Sequence, residues 1–251
     1  MKSEEMIQLV DKWNVGNLIS CKQAEKGVVN VNWIVKTTRG KYVLRKVTHF
    51  RNACDLSFEL DYLTYLKEHG FAYKVPTPIK TRESSNFLRL NESCFWLYEW
   101  IDGRIIKKFG YPELRECAKM MANYHSIIER SSLDNQKGGG CVFNREPVLE
   151  ELEMFVEQVS KKHKQDRKDK IFVKEAKILI PLLESLDGEA YSRLSKYPLH
   201  RDINPENTLW KGKKLVGVLD WENVSAINDT IIKDISSMIQ YSCRDSKYKH
   251  K

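Results

Sequence analysis

The stretch LHRDINPENTLWKGKKLVGVLDWEN, residues 199–223, gathers polar side chains at spacings that can do chemistry. His200, Arg201, Asp202 and Asn207 form an H-R-D-x-x-x-x-N run, and Asp220 ends the apolar segment that follows. TLW and LVGVLD read as short strands around a Lys211-Gly212-Lys213 turn, an arrangement that brings the polar residues at either end together. Asp202, Asn207 and Asp220 would then converge on one edge. A carboxylate that accepts a proton, beside a second carboxylate and an amide oxygen able to hold Mg²⁺, is what phosphoryl transfer from ATP to a hydroxyl requires. An Asx-turn and a capping amide would account for Asp202 and Asn207, but not for a carboxylate at the end of an apolar strand.

The elements that must position these residues are legible in the hydrophobic periods. LISC, VNVNWIVK and KYVLRKV read as strands, the last two joined as a hairpin through Thr38-Arg39-Gly40. Leu56, Leu60, Leu63 and Leu66 recur at helical spacing and stop before Gly70. VPTPIK, NFLRL and CFWLYEWI look like further strands, with Pro76 and Pro78 suited to an edge. Beyond Asp102-Gly103 the chain turns helical: Pro112 suits a first helical turn, and Leu114, Ala118, Met121, His125 and Ile128 share one stripe. His125 on that stripe reads as a hydrogen-bonded core histidine. Gly138-Gly139-Gly140 reads as a connection, and two helical patterns over residues 147–195 flank the charged stretch KKHKQDRKDK. The expected class is α+β: a small antiparallel sheet with one helix, residues 1–101, then a mainly helical part, residues 102–251.

Composition narrows the partners. Of 251 residues, 42 are Lys or Arg and 34 Asp or Glu, a formal net charge of +8 that suits an anionic ligand such as a nucleotide. The basic residues are interleaved with acids, and no nucleic-acid reader motif is present. The six cysteines show neither C-x-x-C pairs nor metal-ligand spacing, as expected of reduced thiols in a cytoplasmic protein. The apolar run Ile178 to Leu183 is far too short to span a bilayer.

Taken together, GVVNVNWIVKTTRGKYVLRKV, VPTPIKT, LYEWIDG, LHRDINPEN and GVLDWEN resemble the aminoglycoside phosphotransferase/choline kinase family, its homoserine-kinase-like members above all. The resemblance covers nearly all of residues 20–243. It implies a protein-kinase-like fold of two lobes, a nucleotide-binding lobe at 1–101 and a catalytic lobe at 102–251, with ATP in the cleft between them. Asp202 would be the base or orienting carboxylate for the acceptor hydroxyl, Asn207 and Asp220 the Mg²⁺ ligands, and His200 structural. Strand alternation puts Arg45 and Lys46 on opposite faces. The resemblance selects Arg45 for the phosphates, where many relatives carry Lys, and makes Glu59 its ion-pair partner. The loop Gly27-Val28-Val29-Asn30-Val31-Asn32 would cover the phosphates through backbone N–H groups. The backbone of Glu99 and Ile101 would meet adenine, and Asp234 would brace the catalytic loop. Many relatives continue with helices that wall the acceptor site, so a cut-short helical lobe is expected, its exposed apolar surface favouring self-association.

Between Asp220 and Asp234 there is no room for the activation and A-P-E segments of a protein kinase. The expected activity is therefore ATP- and Mg²⁺-dependent phosphorylation of a small-molecule hydroxyl on homoserine, choline or ethanolamine, a sugar or an aminoglycoside. The competing readings are a protein kinase and a degenerate member that binds nucleotide without turnover.

Overall fold

The computed structural model describes residues 3–24, 30–47, 53–133, 145–226 and 228–242. Val28 and the Gly138-Gly139-Gly140 connection lie outside the described residues. The chain forms two compact units, Met1–Gly138 with Tyr197–Lys251, and Gly139–Lys196.

The first unit opens with α1 (Ser3–Val10) and β1 (Leu18–Gln23), β2 (Val31–Thr37) and β3 (Gly40–Val47). After α2 (Ala53–Glu68), β4 (Leu88–Leu90) and β5 (Ser93–Glu99) complete an antiparallel sheet ordered β1-β2-β3-β5-β4. Alternation along the strands sorts the side chains into two cores. Trp33, Val35, Tyr42, Leu44, Phe95 and Leu97 face one way, onto Met6, Leu9 and Val10 of α1 and onto Trp13. Val43, Val47, Trp96 and Tyr98 face the other way, onto Leu56, Leu60 and Leu63 of α2. Both faces are thus covered, which is why residues 42–44 and 95–98 are unbroken apolar runs. The α1 cover was not evident from the sequence.

VPTPIK departs from the expected strand. It makes one isolated bridge, Pro78 to Tyr98, and Lys74, just before it, makes another to Gly217. Pro76 and Pro78 have no N–H with which to extend a ladder.

Next comes α3 (Tyr111–Ile128), with Pro112 in its first turn and Glu113 Oε2 accepting from the Gly110 N–H at 2.9 Å. Its apolar stripe buries Cys117, Met120, Met121, Tyr124 and Ile128.

The second unit contains α4 (Glu146–Ser160), α5 (Arg167–Glu184) and α6 (Gly188–Arg193). The charged stretch becomes the α4–α5 turn and the start of α5. There Asp166 caps the Asp169 N–H at 2.8 Å, and Asp169 accepts from the Asp166 N–H at 3.0 Å. Of all the residues on α4 and α5, only Ala176 is buried.

Back in the first unit, β6 (Tyr197–Pro198) pairs with β9 (Asn228–Asp229), and β7 (Thr208–Lys211) with β8 (Lys214–Val218). Gly212, at φ +59°, makes the β7–β8 turn in the left-handed region open to glycine. The chain ends its described part in α7 (Ile232–Ser242). Two glycines let the segment after β5 lie against this hairpin. A Cβ at Gly103 would stand 2.9 Å from Leu209 Cβ, and one at Gly217 would stand 3.0 Å from Ile101 Cγ2. Arg104 and Trp210 then exchange two backbone hydrogen bonds of 2.9 Å.

Candidate active site

The loop between β6 and β7 is anchored from beneath by two buried tyrosines. Tyr62 of α2 and Tyr124 of α3 touch at 2.7 Å, and both hydroxyls reach the Pro198 carbonyl, at 2.8 and 2.9 Å. Burial, the largest cause, holds both phenols well above the ordinary tyrosine range. His200, fully buried, bonds the Leu219 carbonyl through Nε2 at 2.8 Å, while its Nδ1 accepts the Asp202 N–H at 3.2 Å. Those two bonds assign the proton to Nε2. Trp221 packs its ring edge-on to His200, with centroids 4.7 Å apart, and donates from Nε1 to the Val218 carbonyl.

Asp234, in the first turn of α7, accepts the Arg201 N–H at 2.6 Å with one oxygen and meets His125 Nε2 at 3.0 Å with the other. His125 is accordingly a bonded core histidine. Arg201 sits at φ +57° and Asp220 at φ +62°, two of the four non-glycine residues with positive φ among those described. Each such backbone costs about 1–2 kcal/mol, and both flank the proposed chemistry.

Asp202 is held at both carboxylate oxygens. Asn204 Nδ2 donates to Oδ1 at 2.8 Å, and Asn207 Nδ2 donates to Oδ2 at 2.8 Å. Asn204 also caps the 3₁₀ turn at Pro205–Asn207 by accepting from the Glu206 and Asn207 N–H groups. Asn207 accepts the Leu219 N–H at its main-chain carbonyl, at 2.8 Å, so the Asp202 loop and the Asp220 segment are stitched through one residue. Because its Nδ2 is turned to Asp202, the Asn207 carbonyl oxygen Oδ1 faces the other way. Asp220 is partly exposed and receives Arg45 Nη1 at 3.4 Å. Asn207 Oδ1 and the Asp220 carboxylate are hard oxygens of the kind that Mg²⁺ takes. Among the described residues there is no cluster of three or more His, Cys, Asp and Glu that would suit a different metal centre.

Arg45 is buried on the α2 side of β3, while Lys46 turns to the opposite face, near the Phe95 ring. Arg45 Nε donates to Asn32 Oδ1 on the neighbouring strand at 3.0 Å. Burial alone would lower the Arg45 pKa. Tyr98, Asp220, Glu59 and Glu222 outweigh it and hold the guanidinium above its ordinary value. Glu59 is buried on α2 and adds its charge to that set. Glu99 is exposed at the end of β5, opposite Tyr42, and Ile101 is buried against the β7–β8 hairpin. Between them, the Trp100 N–H donates to the Lys41 carbonyl at 2.9 Å. Asn30 is buried and donates to Glu222 at 3.0 Å.

The sequence reading missed Asn204, Tyr62 and Tyr124, and placed Asn32 in the loop over the phosphates, whereas it lies in β2 with its side chain on Arg45. Asn204 alone carried a signal, an Asn-Pro-Glu capping pattern at the head of a short turn.

Residues 20–246 match the phosphotransferase enzyme family. The chain belongs to that family. It is 25% identical over 240 residues to the homoserine kinase of Sinorhizobium fredii, covering 96% of this chain and 68% of that protein. To the homoserine kinase of Sinorhizobium medicae it is 26% identical over 248 residues, 98% of this chain and 71% of that one. Among solved structures, an aminoglycoside phosphotransferase from Alicyclobacillus acidocaldarius superposes with a TM-score of 0.68 at 18% identity, covering 92% of this chain and 69% of that one. Spectinomycin phosphotransferase, solved with ADP and spectinomycin, gives 0.63 at 14% identity, over 95% and 74%. The family read from the motifs and the kinase-like α+β fold both stand, and the protein is a phosphotransferase of the small-molecule kinase kind. No helix of the described residues is long and apolar enough to cross a membrane.

Proposed function

We propose that this protein transfers the γ-phosphoryl group of MgATP to the hydroxyl of a small amino alcohol, with homoserine the first candidate. The observation that carries the reading is Asp202, oriented at both carboxylate oxygens by Asn204 and Asn207 on a loop stitched to the Asp220 segment. A carboxylate aimed in this way can take the acceptor's proton as the oxygen attacks. Homoserine leads because relatives that align with 96–98% of this chain carry that activity in their names.

In this reading residues 1–101 form the nucleotide-binding lobe and residues 102–251 the catalytic lobe. Asn207 Oδ1 and Asp220 would hold Mg²⁺, which when bound neutralises phosphate charge. Arg45, kept in line by Asn32, Glu59 and Asp220, would exchange its Asp220 contact for phosphate oxygens. The main chain of Glu99 and Ile101 would receive adenine. Val28 and Asn30 would contribute the loop over the phosphates.

ADP production by the purified chain, with MgATP and a panel of homoserine, choline, ethanolamine, a sugar and an aminoglycoside, tests this. Turnover confined to homoserine or another amino alcohol is the expected result. Turnover of the sugar or aminoglycoside alone overturns the acceptor class. Nucleotide binding without turnover of any acceptor favours a degenerate, nucleotide-binding member.

A further inference from the structure

Glu222 stands two residues past Asp220, at the start of the 3₁₀ turn Glu222–Ser225, and no chemistry assigned above uses it. Its Oε2 accepts from Asn30 Nδ2 at 3.0 Å across 192 positions of sequence. Asn30 is the last residue of the β1–β2 connection, immediately before β2. It is 7% exposed, and its carbonyl oxygen Oδ1 is buried with no hydrogen-bond partner among the described residues. Only the amide nitrogen can face a carboxylate, so Glu222 decides which way this side chain points. The amide is thus kept buried for one bond, a charge-assisted one.

The bond is one part of a closed ring. Two residues along from Asn30, on the same face, Asn32 accepts from Arg45 Nε at 3.0 Å, and Arg45 reaches Asp220 at 3.4 Å. The chain from Asp220 through Trp221 leads to Glu222, and Glu222 closes the circuit through Asn30. Trp221 makes the return rigid, since it is 1% exposed and bonded at Nε1. The entry of β2 therefore presents two amides of opposite use, one donating to a carboxylate and one accepting from a guanidinium. The carboxylate follows Asp220 closely in the chain, and the guanidinium contacts it directly.

We infer that Glu222 is a positioning residue: through Asn30 it fastens the entry of β2 to the Asp220 segment, and so holds Asn32 and Arg45 where the site retains nucleotide. The inference rests on the nucleotide-site reading above. Breaking the latch loosens the entry of β2, and with it Asn32 and Arg45, while leaving Asp202 and its asparagines in place, so nucleotide affinity falls and the chemical step is spared. The relation is directional: a carboxylate at 222 demands a donor at 30, and exchanging the two chemistries restores it.

Four proteins test this: the parent, Asn30→Asp, Glu222→Gln, and the double variant, in which the amide introduced at position 222 can donate to the carboxylate introduced at position 30. MgADP affinity by calorimetry requires no acceptor. Asn30→Asp opposes two carboxylates and is expected to weaken binding on the order of tenfold; Glu222→Gln weakens it less; and the double variant returns to within roughly threefold of the parent. Losses that multiply in the double variant overturn the latch, as does a changed Mg²⁺ dependence in Glu222→Gln with no rescue by Asn30→Asp, which would make Glu222 a metal ligand. If the parent binds no MgADP, the nucleotide reading is what fails. Melting temperatures of the same four proteins then read the pair directly: recovery in the double variant supports the bond, and additive losses overturn it.

Discussion

The segment from Tyr197 to Asp229 and the helices α4 and α5 differ in how their side chains are used. In the first, His200, Thr208, Val218, Trp221 and Val224 are at most 1% exposed, and both oxygens of Asp202 are bonded. In the second, Leu149, Leu152, Val156 and Val159 of α4 are only half-buried, as are Phe172, Val173, Ile180 and Leu183 of α5. A further apolar set, including Phe155, Ile178, Leu179 and Leu182, is left exposed. A reacting carboxylate must be held within a fraction of an ångström, which demands a packed, bonded surround. Two helices that pack mainly on each other carry no such demand, and their exposed faces are free to vary with what they meet.

The comparison can be broken at its strongest point with Asp202→Asn. Acceptor turnover is expected to fall by roughly 10²- to 10⁴-fold while nucleotide affinity by calorimetry stays near the parent's; an equal loss of both would remove Asp202 from the chemistry. Trp221→Ala takes the ring from beneath His200 and from the Tyr62–Tyr124 pair. A loss of about 3–5 kcal/mol in denaturant unfolding is expected. A loss under about 1 kcal/mol would show that the site's floor is no better packed than α5.

The tyrosine pair sharpens the same contrast through pH. Burial raises the pKa of Tyr62 and Tyr124 in the folded chain above that of the unfolded chain. Their contribution to stability is therefore fully present below the unfolded tyrosine pKa, near 10, and is lost as pH climbs towards the folded values. Above that point unfolding free energy should drop by up to about 1.4 kcal/mol per pH unit for each phenol. The Tyr62→Phe, Tyr124→Phe double variant should show a shallower fall over roughly pH 9.5 to 11.5, and an unchanged slope would assign the loss to other groups. Smallest of all, Ile178→Ala on the exposed face of α5 should change stability by under about 0.5 kcal/mol; a larger loss would mean that this face is covered in solution.

Much of the site was legible because its signals are local. The period-2 pattern of KYVLRKV and CFWLYEW, the leucines of α2, and the Lys211-Gly212-Lys213 turn all follow from backbone geometry that a few neighbouring residues dictate. The H-R-D-x-x-x-x-N spacing and the Asp220 terminus pointed to the proposed chemistry for the same reason. Even VPTPIK failed locally, through prolines whose lack of N–H was visible in advance.

Sequence by itself determined that Arg45 and Lys46 point to opposite faces, since alternation in a strand allows nothing else. Only the tertiary structure decided that Arg45 is the one turned towards Asp220, because α1 covers the face to which Lys46 belongs. The same holds for Tyr62 and Tyr124 on Pro198, for His125 on Asp234 and for Asn30 on Glu222, whose partners stand 136, 74, 109 and 192 positions away. No local period encodes a pairing at that range. It exists because the apolar faces of α2, α3 and the sheet exclude water there, and a polar group enclosed among them must find whatever partner the packing brings within reach.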